Sequence, residues 1–242
     1  MQINYGVAGI VKSIQRFDGT TISNSYDVAA RLTRVILPDS TNTFTYYNNA
    51  LLKTTSNKTG TISNKYDNAN RLTAEHQNQF ASFAKFAVNY SLDPVGNPTN
   101  TTTTIDDTPI LTTAYTFDAA ERISEIVGQS EAFAFEYAAH NGLLSGASNT
   151  TSGIHASYQF DNMDRLTNIV WRKSSGSILR SFGYQYNNAG MITNITRETP
   201  SEDVAYTYDS LDRLTSYKKG TYTESYTWDL VGNLLGRIGT HK

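Results

Sequence analysis

The sequence contains no cysteine, which excludes a disulfide framework and a thiolate metal site. It has no excess of either charge sign: 20 Lys and Arg stand against 22 Asp and Glu, a net charge of −2. No basic stripe is available to neutralise a phosphate backbone, which argues against nucleic acid as a partner. There is no run of about 18 apolar residues, so no membrane-spanning helix is expected. The N-terminal MQINYGVAGIVKSIQRF lacks the basic start and apolar middle of a signal peptide. Nucleophile-elbow, P-loop and dinucleotide fingerprints are absent. The four histidines, His76, His140, His155 and His241, stand far apart without metal-ligand spacing, and they read as solvent-facing loop residues. No cofactor is expected.

What is present is a repeat. The stretch YDSLDRLT from Tyr208 recurs as YDVAARLT from Tyr26, YDNANRLT from Tyr66, FDAAERIS from Phe117 and FDNMDRLT from Phe160. Worn copies begin at Tyr46 (YYNNALLK), Leu92 (LDPVGNPT), Tyr137 (YAAHNGLL), Tyr186 (YNNAGMIT) and Trp228 (WDLVGNLL). The ten anchors 26, 46, 66, 92, 117, 137, 160, 186, 208 and 228 follow one another at 20 to 26 residues, a mean of about 22, a period in the range of repeat architectures. A degenerate eleventh copy is placed at 4–11, with Ile10 at the leucine position. One array over 1–242 is the expected domain organisation, an excerpt of a larger protein because GRIGTHK closes the chain soon after an ordinary repeat.

Each unit reads as two strands and two turns. Counting the anchor as position zero, aromatic residues also occupy position minus two in eight of ten copies, among them Tyr206 and Tyr226, so two rings share one strand face. These rings are expected to stack on the corresponding rings of neighbouring units. Asp at position one (Asp27, Asp67, Asp118, Asp161, Asp209, Asp229) can accept backbone N–H bonds across the turn. Gly96, Gly190, Gly232, Asn70, Asn141, Asp164 and Asp212, before the position-five residue, tolerate positive φ. Arg at position five (Arg31, Arg71, Arg122, Arg165, Arg213) is placed to pair with an Asp across the turn or on the adjacent repeat. Leu32, Leu72, Leu166 and Leu214 then open the return strand.

A second turn falls midway, at Pro38-Asp39, Thr59-Gly60, Ser152-Gly153, Ser175-Gly176, Pro200-Ser201 and Lys219-Gly220. Asp18-Gly19 marks a further hairpin. Two stretches break the rhythm. Between Tyr66 and Leu92 a lengthened hairpin is expected, with room for a helical turn near Gln79 to Ala84; Asn97 to Thr113, rich in threonine, reads as an exposed loop. The fold class is all-β, an antiparallel meander of about twenty strands. An open sheet of that size must curl, into a spiral shell or a wide barrel-like segment. One Asp per unit does not assemble the oxygens that calcium needs, so the aspartates read as turn caps and no metal is assigned.

The aromatic-Asp-x-x-x-Arg-Leu-Thr frame resembles the YD repeat of the Rhs family, over nearly the whole chain. That family includes bacterial polymorphic toxins, insecticidal toxin complex shell subunits and teneurins, in which such repeats wind into a hollow β-shell. The resemblance implies a secreted or cell-surface, non-enzymatic wall segment that encloses a C-terminal toxin or other cargo domain. LDPVGN from Leu92 is similar to the DPxG motifs near the family's self-cleaving aspartates, but it sits at a mid-chain anchor with no second motif, so no protease role is carried over. The competing reading is an extracellular module that binds carbohydrate or a cell-surface protein on its Tyr-rich faces. Unpaired edge strands at either end would favour edge-to-edge self-association.

Overall fold

In a computed structural model that describes residues 1–6, 9–79 and 84–241, the chain forms 22 antiparallel strands. The strands fall in two compact units. The first spans Met1–Glu121 with Val127–Gln129, and holds β1 (Gln2–Tyr5) to β11 (Thr108–Phe117). The second spans Arg122–Ile126 with Ser130–Lys242, and holds β12 (Ile123–Val127), apart from its last residue, to β22 (Leu234–His241).

Within each unit, strands pair with their sequence neighbours. In the first, β3 (Thr21–Tyr26) pairs with β4 (Leu32–Ile36), β4 with β5 (Thr41–Tyr46), and β5 with β6 (Leu52–Asn57). In the second, β15 (Ile154–Phe160) pairs with β16 (Leu166–Arg172), and β16 with β17 (Ile178–Tyr186). No pairing among the described residues joins the first strand of either unit to its last, so neither unit is a closed barrel.

Alternation follows from composition. On β5, Phe44 and Tyr46 share one face while Thr41, Thr43 and Thr45 share the other. Opposite Thr43 and Thr45 stand Ser56 and Thr54 of β6, and opposite those Thr61 and Ser63 of β7 (Gly60–Tyr66). Hydroxyl pairs such as Thr45–Thr54 at 2.6 Å and Ser56–Thr61 at 2.7 Å tie this small, polar face together. One face is therefore aromatic and aliphatic, the other mostly Thr, Ser, Asn and Ala.

Neither face carries a deep core. The buried hydrophobic residues are small, Ala74, Ala87, Ala156, Val170 and Val204, and among the described residues no large side chain is fully buried. The chain exposes 15600 Å², whereas two compact domains sharing its 26.8 kDa equally would expose about 13,000 Å². Stability must come from the backbone ladder, from cross-strand pairs on each face and from links between repeats.

Three local readings are corrected. The Thr-rich stretch is not a loop but a hairpin of β10 (Pro98–Ile105) and β11, because β-branched residues suit both strands and Asp106 (φ 47) with Asp107 (φ 64) makes the tight two-residue turn. His76, His155 and His241 lie in strands rather than loops, on β8 (Leu72–Gln79), β15 and β22. Asn141 does not take the positive φ; Gly142 (φ 72) does, since that copy carries one extra residue and its return strand β14 (Leu144–Asn149) starts one place later. The lengthened hairpin is present as β8 and β9 (Phe86–Leu92), paired from Ala74↔Asn89 to Gln77↔Phe86. The helical turn suggested near Gln79 to Ala84 falls on residues 80–83, outside the described residues.

Candidate functional site

The site that recurs is the turn after each anchor. In the copy at Tyr26 the Asp27 N–H donates to the Arg31 carbonyl at 3.0 Å, and the Ala30 N–H to the Asp27 carbonyl at 3.0 Å. This is the bonding of a three-residue hairpin loop whose last residue is left-handed, and Ala30 has φ 59. Asp27 Oδ1 accepts the N–H groups of Ala29 and Arg31, at 3.0 and 2.9 Å. Its other oxygen accepts the Arg31 Nε–H at 2.7 Å.

The arrangement repeats at Asp67 with Arg71, Asp161 with Arg165, and Asp209 with Arg213. Asp93 and Asp229 make it with Asn97 and Asn233 in place of Arg. Asp118 accepts the Ala120 N–H at 2.9 Å. Each pair lies within its own turn rather than across repeats, because the loop folds position five back over position one. The Arg71 backbone N–H first, then its guanidinium, hold the Asp67 carboxyl below the ordinary aspartate range.

The same arginine reaches onward. Arg31 Nη1 donates to the Tyr47 carbonyl, Arg71 to that of Asp93, Arg165 to that of Asn187 and Arg213 to that of Asp229, each the residue after the next anchor. Arg122 reaches Gly142 in the one-residue-longer copy. The guanidinium also lies over the next anchor ring: Arg31 over Tyr46 at 4.9 Å, Arg122 over Tyr137 at 4.1 Å, Arg165 over Tyr186 at 4.7 Å and Arg213 over Trp228 at 6.0 Å. Arginine is suited to this because its planar fork bonds in two directions while its face stacks.

The next ring answers with a link in the opposite direction. Between hairpins the ladder stops short: β4 and β5 end at Arg34↔Thr43, leaving the Leu32 carbonyl beyond the last pair. The Tyr46 hydroxyl donates to it at 2.8 Å. In the same way Tyr66 bonds Leu52, Tyr137 bonds Ile123, Tyr186 bonds Leu166, Tyr208 bonds Ile192, and Trp228 Nε1–H bonds Leu214. Phe117 and Phe160 fill the slot without a donor; Leu72 precedes a copy anchored by Leu92, which has none either. Burial first, and the neighbouring Tyr206 second, push the Tyr208 hydroxyl above its ordinary pKa.

Among the described residues, no anchor ring stacks on another as the sequence suggests. Consecutive anchors are two strands apart, about 9.5 Å, beyond the span at which rings touch. The space is taken by the intervening Leu or Ile and the arginine. Ring contacts join directly paired strands, as Tyr206 with Tyr217 at 5.8 Å and Trp171 with Phe182 at 5.9 Å, and in one place neighbouring units, where Tyr47, the residue after one anchor, meets the next anchor Tyr66 edge-on at 6.0 Å.

The first copy takes this geometry from Tyr5, one residue beyond the frame placed at 4–11. Tyr5 pairs with Val11, Gly6 N–H donates to Ile10, and Tyr26 donates to the Val11 carbonyl at 2.9 Å. Residues 7 and 8 of that copy lie outside the described residues.

Several further residues take part in the site. Asn24 and Asn64 occupy position minus two in the two copies that lack a ring there, and their amides donate to the carbonyls that Tyr26 and Tyr66 use. That exception to the aromatic rule is visible in the sequence. Glu224 is buried on the ring face of β21 (Tyr222–Trp228), bonded by Arg237 of β22 and by the Tyr226 hydroxyl at 2.8 Å. The Arg237 bond first, and the Tyr226 hydroxyl second, hold its carboxyl below the ordinary range. Among the described residues no three His, Asp or Glu side chains gather as metal ligands, and no helix is long and apolar enough to cross a membrane.

The teneurin YD-shell family model matches residues 43–227. No curated protein matches the chain in sequence. Among solved structures, TcdB2-TccC3-TEV matches with a TM-score of 0.69 at 14% identity, over 99% of this chain and 15% of its own. TcdB2-TccC3-Cdc42 matches with a TM-score of 0.67 at 14% identity, over 96% and 15%. The Photorhabdus luminescens Tc holotoxin pore matches with a TM-score of 0.56 at 13% identity, over 99% and 16%. The chain thus spans about a sixth or less of the length of these structures.

Proposed function

Because the chain belongs to the teneurin YD-shell family, we propose that it is a structural, non-catalytic wall segment of a β-shell that encloses a toxin or other payload outside the producing cell. The observation that carries this reading is the pair of opposed links between repeats: Arg213 reaches forward to Asp229 while Trp228 reaches back to Leu214. A repeat without a core of its own gains order only from its neighbours, and such units build an extended wall rather than a self-contained site.

Limited proteolysis tests the reading. In the polypeptide that carries this segment, the payload should resist a protease that rapidly digests the payload alone. Equal digestion rates would overturn enclosure, and saturable binding of a glycan by this segment would favour a recognition module in its place.

A further inference from the structure

Position five of the frame alternates. Arginine fills it in the copies anchored at 26, 66, 117, 160 and 208, while the copies after them carry Leu51, Asn97, Gly142, Met191 and Asn233. The order holds through all ten copies, so the sequence repeats in full only at every second one. The turn itself does not demand this, because Asp93 and Asp229 close the same turn on Asn97 and Asn233. What alternates is the reach to the next copy: leucine and methionine carry no donor, glycine has no side chain, and asparagine is too short to follow the arginine.

In the second unit the links between copies therefore fall in pairs. The copies at 160 and 186 are joined in both directions: Arg165 Nη1 donates to the Asn187 carbonyl at 3.2 Å and its guanidinium lies over Tyr186, whose hydroxyl donates back to the Leu166 carbonyl at 2.6 Å. Arg213 and Trp228 join the copies at 208 and 228 likewise, at 2.6 and 2.7 Å. From 137 to 160 neither link can form, because Gly142 has no side chain and Phe160 has no hydroxyl. Their turns meet instead at an exposed bond from Asn141 Nδ2 to Asp164 Oδ1, 2.6 Å long. From 186 to 208 Met191 sends nothing forward, and the Tyr208 hydroxyl alone reaches back.

The backbone ladders of this unit run the same way. Inside the pairs, β16 and β17 share five residue pairs, and β20 (Leu214–Lys219) and β21 share four. Between the pairs, β14 and β15 share four, and β18 (Ile192–Thr196) and β19 (Val204–Tyr208) share two.

We propose that the second unit opens two copies at a time. The copies at 160 and 186 form one cooperative module and those at 208 and 228 another, and the seams are the β14/β15 and β18/β19 junctions. In a repeat array each junction contributes its own share of stability, so opening starts where the links are fewest. The alternation of arginine writes these seams into the sequence. The device needs no payload, so it stands or falls apart from the enclosure reading.

Hydrogen exchange of the full chain, followed amide by amide by nuclear magnetic resonance, tests the proposal on the two sides of the β15/β16 hairpin. Amides bonded across β14/β15 should exchange at least about tenfold faster than those bonded across β16/β17. Arg165→Ala should speed exchange across β16/β17 at least about tenfold and leave that across β14/β15 within about twofold. The converse variant, Asn187→Asp/Met191→Arg, builds the Asp and Arg turn into the copy at 186 and should slow exchange across β18/β19. Equal exchange on the two sides of the hairpin, or an Arg165→Ala effect shared equally by both junctions, would overturn the proposal. So would an Asn187→Asp/Met191→Arg variant that leaves the β18/β19 junction unchanged.

Discussion

The Tyr208 hydroxyl donates to the Ile192 carbonyl oxygen at 2.8 Å, from one repeat to the one before it. The ladder between β18 (Ile192–Thr196) and β19 (Val204–Tyr208) ends at Asn194↔Ala205, so this side-chain bond continues the pairing where the backbone stops. Tyr208→Phe removes the bond and leaves the ring. Chemical denaturation should show a loss of about 0.5–1.5 kcal/mol. Tyr208→Ala also removes a half-buried ring and should cost about 2 kcal/mol, below the 3–5 typical of a fully buried aromatic.

That relationship shows what the sequence reveals and what it does not. The 22-residue period, the ring face and the positions of both turns are visible because each rests on a local rule of alternation or turn chemistry. The span of the links is not. Position zero of one copy bonds position six of the copy before it, and no periodicity states which carbonyl the ladder leaves open. The Thr-rich hairpin was hidden because threonine suits both a polar loop and a strand. The Glu224–Arg237 pair was hidden because its partners lie on different strands outside the repeat frame.

Arg213 bonds Asp209 and the Asp229 carbonyl and lies over Trp228. Lysine supplies charge but not a fork. Arg213→Lys should therefore lower the melting temperature almost as far as Arg213→Ala, by about 2–4 °C. Full retention of stability by lysine would mean that charge alone is used, and that the fork and the stacking contribute nothing.

Ala30 (φ 59) and Ala50 (φ 67) hold a conformation that disfavours any residue with a Cβ. Replacing either by glycine should raise stability by about 0.5–1 kcal/mol, after the greater freedom of glycine in the unfolded chain is counted. The urea midpoint should rise for Ala30→Gly, while Ala29→Gly at the adjacent position should lower it or leave it unchanged.

Acid should loosen the turns. Asp27, Asp67, Asp161 and Asp209 are all held below the ordinary 3.8. Below that value the unfolded chain takes up protons before the folded one. The stabilisation is therefore full above about pH 4 and is lost as pH falls through the lower, folded values. Melting temperature measured from pH 6 to pH 2 should fall most steeply below pH 4. The fall should be shallower when the four residues are replaced by asparagine.

The most direct measurement is electron cryomicroscopy of the polypeptide that carries this segment, with its payload in place. The expected map places residues 1–242 as consecutive hairpins of a continuous β-wall, each anchor tip on the preceding Leu or Ile carbonyl, with payload density on the inner side of the wall. A map in which the segment stands as a separate arm, with its payload outside, would contradict the account.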